Sequence, residues 1–165
     1  MRIGRSCGKT VLVDVYSGAS PEHSIRVYAI IDDKSNSSLA TPDLFDRFGI
    51  HGSQKQFVLS SYSGSFTVVG IYASGIRICS IDVESIFELP DVIECDSIPS
   101  NLPEIPTPDV AYAHPLIRRI APYLPALDPS GKVELLKGRD LPEVHHVTEE
   151  ILGGKGERFA QKLPL

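Results

Sequence analysis

An apolar run, Ile25-Arg26-Val27-Tyr28-Ala29-Ile30-Ile31, stops abruptly at Asp32, and Asp33-Lys34-Ser35-Asn36 follows as a polar turn. A carboxylate at the end of a buried strand is held rigidly and partly desolvated, which is what acid–base chemistry asks of it. The same phrase also makes an ordinary surface turn with Asx-type hydrogen bonds, so a structural reading stands beside the catalytic one. The rival candidates are weaker. Gly4-Arg5-Ser6-Cys7-Gly8-Lys9-Thr10 approaches a phosphate-binding loop, but one residue is missing between the glycines and a strand follows instead of a helix. His145 and His146 are adjacent and diverge, with no Cys or His at finger spacing, so a solvated pair and no metal site are expected. Cys79 lies in the apolar run Ile76 to Ile81 and reads as a small core residue. No Gly-x-Ser-x-Gly nucleophile elbow occurs.

The elements that must hold Asp32 are mostly strands. Thr10 to Tyr16 and Ile25 to Ile31 are β-branched and apolar, separated by the turn cluster Ser17-Gly18-Ala19-Ser20-Pro21. Pro42 to Gly49 predicts a one- or two-turn helix, with Leu44, Phe45 and Phe48 on one face and Gly49 as a left-handed stop. Gln56 to Ser60, Phe66 to Tyr72 and Ile76 to Val83 are further strands, with hairpin turns at Ser61-Tyr62-Ser63-Gly64-Ser65 and Ala73-Ser74-Gly75. Residues 89–131 hold most of the 13 prolines and predict a long extended or looping segment. One helix is expected inside it, N-capped by Thr107 with Pro108 in its first turn and interrupted by Pro115. Val133-Glu134-Leu135-Leu136 returns to a strand, and Val144 to Gly154 is at best weakly helical.

At 165 residues the chain suits one domain able to bury a core, and 42% hydrophobic with 22% charged residues is a globular mixture. A net charge of −5 argues against non-specific nucleic-acid binding, which needs Lys and Arg on phosphate. No apolar run approaches the ~20 residues of a bilayer span, so no membrane partner is expected. Met1 to Ser6 has charge but no apolar core behind it and does not read as a secretory signal. Cys7, Cys79 and Cys95 are odd in number and never in Cys-x-x-Cys spacing, which suits free thiols in a reducing, intracellular and cytoplasmic setting.

The order of segments adds a resemblance. A strand ending in Asp32, a short helix, a Ser/Gly-tipped hairpin, and then Leu135-Leu136-Lys137-Gly138-Arg139-Asp140 resembles the half-barrel of retropepsin-type aspartic peptidases. Ile31 to Ala40, Glu104-Ile105-Pro106-Thr107-Pro108-Asp109-Val110-Ala111, Gly138-Arg139-Asp140 and Phe159-Ala160-Gln161-Lys162-Leu163 look most like the domain of BEL/Pao-type retrotransposon polyproteins. The resemblance implies a mostly β, retropepsin-like (acid protease) half-barrel with short helices and a Pro-rich insertion. It divides the chain into an N-terminal extension at 1–9, a peptidase domain at 10–141 with its insertion at about 89–131, and a C-terminal extension at 142–165. It implies that Asp32 is the catalytic aspartate, that Asp33, Lys34, Ser35 and Asn36 form the catalytic loop, and that Ser61, Tyr62, Ser63, Gly64 and Ser65 form a mobile flap. Gly138 would permit close backbone packing, and Arg139 would brace the loop near Asn36.

The implied reaction is endopeptidase cleavage of a polyprotein with no cofactor and no metal. Two aspartates share one proton, one activating water while the other assists the peptide carbonyl. A single such motif implies a homodimer, with an extended peptide as substrate. Asp33 and Lys34 depart from the family's Ser/Thr and Gly. Lys34 is expected to crowd the loop and hold Asp32 ionised. That departure keeps open an alternative, a catalytically inactive, domesticated dimeric interaction module, and a third reading as a structural segment of a polyprotein.

Overall fold

The computed structural model describes residues 7–165. Met1 to Ser6, with the start of the 1–9 extension and of the rejected phosphate-loop phrase, lie outside the described residues. The strands β1 (Thr10–Ser17) and β2 (Ser24–Ile31) form an antiparallel hairpin in which Val13 faces Val27. Their runs are apolar almost throughout because both faces are covered. Val13, Val15, Val27 and Ala29 enter the main core, while Leu12 and Tyr28 pack on the other side with Ile105 and Val133.

The chain continues through β3 (Ser38–Ala40) into the helix α1 (Pro42–Arg47). Thr41 caps this helix, its Oγ1 accepting from the Leu44 N–H at 3.3 Å, and Gly49 ends it at φ 65°. Next come β4 (Lys55–Ser61), β5 (Gly64–Gly70), β6 (Tyr72–Ala73), β7 (Ile76–Ser80), β8 (Ile86–Glu88) and β9 (Val92–Glu94). A Pro-rich stretch carries the helix α2 (Pro108–Tyr112) and 3-10 turns at Leu102–Glu104 and Arg118–Tyr123. The strand β10 (Val133–Lys137), a 3-10 turn at Pro142–His145, β11 (Glu149–Ile151) and β12 (Ala160–Lys162) complete the order.

Eight strands form one mixed sheet in the order β6-β9-β3-β10-β2-β1-β7-β8. It curls strongly into a half-barrel, giving a mostly β protein with short helices. The hairpins β4–β5 and β11–β12 stand outside that sheet. The decisive connection is at its centre. β10 lies between β2, to which it is parallel, and β3, to which it is antiparallel. The loop from Asp32 to Ser37 therefore straddles the C-terminal end of β10 to join its two neighbours.

Several expectations need correction. The stretch 89–131 does not lie wholly outside the sheet, because β9 pairs in parallel with β3 and antiparallel with β6. Beyond it, the Pro-rich segment is largely irregular and lies as a cover on the sheet. Ile105 packs on the β1–β2–β10 face, and the Asp128 N–H donates to the Tyr28 hydroxyl at 2.9 Å. Ala73-Ser74-Gly75 is a turn, but no hairpin, since β6 pairs with β9 while β7 pairs with β1 and β8. The strand expected to reach Val83 stops at Ser80 and turns, with Val83 at φ 62°. The C-terminal segment contains a β-hairpin where weak helix was expected, and Val144 is fully buried in the main core.

Candidate active site

Asp32 is the first residue beyond β2, half-buried, at the point where the loop begins to cross β10. Its N–H donates to the Lys137 carbonyl at 2.9 Å, and its Oδ1 accepts from the Lys34 N–H at 2.9 Å. Backbone and carboxylate are thus both fixed, the first by the neighbouring strand and the second by an Asx-type turn. Further along, the Arg139 N–H donates to the Ser35 carbonyl at 2.9 Å. Gly138 sits where the crossing is tightest, and a Cβ there would run into the Ser37 backbone.

The crossing is locked from beneath by a polar cluster. Lys137 is a β10 residue with 0% of its surface exposed. Its ammonium donates to Ser38 Oγ at 2.7 Å, to the Gly138 carbonyl at 3.1 Å and to Asp140 Oδ1. Asp140 accepts from the Ser38 N–H at 2.9 Å through Oδ2 and from the Ser38 hydroxyl at 2.8 Å through Oδ1. Burial pushes the Lys137 ammonium below its ordinary value, with Asp140 and then Glu143 pulling the other way. A buried charge needs a partner and saturated hydrogen bonds, and this one has both. His145 is half-buried and not part of a solvated pair. Its Nε2 lies 2.7 Å from the Gly138 carbonyl and its Nδ1 is buried without a hydrogen-bond partner, whereas His146 is exposed.

The residues singled out in the sequence divide accordingly. Asp32, Ser35, Asn36 and Gly138 meet at the crossing. Asp33 and Lys34 are exposed at its outer edge, and the Lys34 ammonium lies 3.7 Å from Asp33 Oδ1. The Lys34 ammonium is thus paired with Asp33, and its backbone is not in the left-handed region. The bracing expected of Arg139 comes from its main chain alone. Its exposed side chain makes no hydrogen bond or ion pair among the described residues, and Asp140 and Lys137 carry the load instead. The readable signal for that pair was a lysine closing an apolar strand with an aspartate three residues on.

The hairpin β4–β5 lies over the loop. Phe57, Leu59 and Val68 pack on Leu39, Ile93, Cys95 and Leu136, while Val58 and Val69 face outward. Tyr62 and Ser63 form its tip, with Gly64 at φ 125° and Tyr62 91% exposed. Asn36 ties the hairpin down twice. Its N–H donates to the Ser60 carbonyl at 3.1 Å, and its Oδ1 accepts from the Ser60 N–H at 3.0 Å. Two clefts, of about 220 and 500 Å³, open beside Lys9 and Glu104 and beside Phe66 and Asp96, and Asp32 lines neither. Among the described residues no group of three or more His, Cys, Asp or Glu side chains gathers as metal ligands. Comparison with protein-family models, with curated proteins and with solved structures finds no match.

Proposed function

We propose that this chain is a retropepsin-like aspartic endopeptidase domain of the BEL/Pao retrotransposon type, acting on a polyprotein as a homodimer. The observation that carries this reading is the crossing itself. A half-buried Asp32 is presented from a loop that straddles a central strand, with a separate hairpin bonded over it. A carboxylate so fixed is prepared for acid–base chemistry. One chain brings one such aspartate, so the second comes from another copy across a twofold axis. The pair then holds a single proton, because two like charges at close range do not both ionise cheaply. One carboxylate takes a proton from water while the acid partner hydrogen-bonds the peptide carbonyl, and the roles then exchange. The hairpin tip at 61–65 closes over an extended peptide. No cofactor enters this chemistry.

The test is cleavage of peptides by the purified domain at mildly acid pH, with and without a statine-type transition-state mimic. Inhibitable cleavage is expected. Absence of cleavage by a dimer that forms normally would favour the second reading, an inactive interaction module, for which the exposed Asp33 and Lys34 speak.

A further inference from the structure

The buried polar cluster lies under the proposed catalytic loop and includes none of the groups proposed to react. The 137–140 segment engages that loop at its beginning, middle and end. The Lys137 carbonyl takes the Asp32 N–H, the Arg139 N–H takes the Ser35 carbonyl, and Asp140 takes both polar groups of Ser38. The Lys137 ammonium closes the set, since its three donors meet Ser38, Gly138 and Asp140. It joins the far end of the loop to the same residue whose carbonyl holds the near end.

We propose that Lys137 is a positioning residue for Asp32, its ammonium serving as the internal cation that ties both ends of the loop to the end of β10. The proposal rests on the reading of Asp32 as the reacting carboxylate. An apolar side chain at this position would fill the space but take the ammonium away from Asp140, the Gly138 carbonyl and Ser38, leaving Asp140 only its Ser38 donors. The loop would then keep its main-chain links and the Asp140–Ser38 bonds but lose the cation that joins its two ends, and Asp32 would wander from its productive geometry. The other ionisable groups facing this region are Glu143, which adds weak attraction, and His145, whose Nε2 meets the Gly138 carbonyl.

The test compares the full chain with Lys137→Met by amide hydrogen exchange and by steady-state kinetics. Exchange at Asp32 and Arg139 is expected to quicken by about tenfold more than at the central amides of β1, a local opening distinct from global loss. In cleavage, kcat is expected to fall about tenfold with KM within about twofold, the pattern of lost positioning. Uniform quickening of all amides, no quickening at Asp32, or an unchanged kcat would overturn the proposal. If the unsubstituted protein cuts no peptide, the peptidase reading fails, and the exchange comparison alone still decides whether Lys137 holds the loop. If Lys137→Met does not fold, Asp140→Asn weakens the same ammonium from a more exposed position and is judged by the same criteria.

Discussion

At the scale of single residues, the loop separates roles that lie side by side in sequence. Asp32 is held by a strand carbonyl and an Asx turn, while Asp33 and Lys34 face outward. Asp32→Asn keeps the oxygen that accepts the Lys34 N–H, so peptide cleavage should vanish while the melting temperature moves little. Comparable cleavage by that variant would place the chemistry elsewhere. Lys34→Gly should not accelerate cleavage, because the ammonium pairs with Asp33 at 3.7 Å and the backbone needs no glycine conformation. It should instead lower stability by roughly 0.5–1 kcal/mol through the entropy of the unfolded chain, measurable in a denaturant titration. A clearly faster Lys34→Gly enzyme would revive the expectation that this residue obstructs the loop. Lys137 has a pH signature. Its folded-state value lies below 10.5, so between the two the unfolded chain binds more protons. Its burial penalty is therefore full below the folded value and is relieved as pH rises toward 10.5. The stability of the parent protein relative to Lys137→Met should rise as pH climbs toward 10.5, and a flat difference would mean the ammonium is not strained by burial. Asp32 was legible because an apolar run ended on it. The depth of Lys137 was not, since its burial depends on Ser38 arriving from a distant part of the sequence.

At the scale of elements, what could be read were the long runs, and what could not were the short ones. β1 and β2 declare themselves through eight residues each of mostly β-branched and apolar character. β9, β11 and β12 have three residues each, and their pairing decides their state more than their own preference does. The same limit applies to the hairpin β4–β5. Its turn was evident from Ser and Gly, but its attachment to Asn36 was not, because that contact joins positions 24 apart. The two Asn36–Ser60 bonds each contribute about 1 kcal/mol net to holding the hairpin against the loop. Asn36→Ala removes the side-chain bond, and the amides of Ser60 to Ser65 should then exchange several-fold faster while those of β2 stay protected. Equal rates in the two proteins would mean that the apolar inner face, and not Asn36, holds the hairpin down.

At the scale of the whole molecule, the sheet brings Asp32 to the crossing and leaves it out of the two open clefts. That arrangement is half of the machinery proposed here, and the account therefore depends on association. The half-barrel and its short helices were legible from strand texture and segment order. The packing of the Pro-rich and C-terminal segments on the half-barrel was not, because Ile105, Asp128 and Val144 reach the rest of the fold through contacts distant in sequence. Specific activity should rise with protein concentration in step with the dimer seen by sedimentation, and full activity in a monomer would remove the shared dyad. The most direct test mixes the parent chain with Asp32→Asn under conditions that allow subunits to exchange. At equal proportions and fixed total protein, a dyad shared across a twofold axis predicts cleavage reduced to about a quarter of the parent value, since mixed dimers lack one aspartate. A reduction to only about one half would mean each chain acts alone, and would contradict the account at its centre.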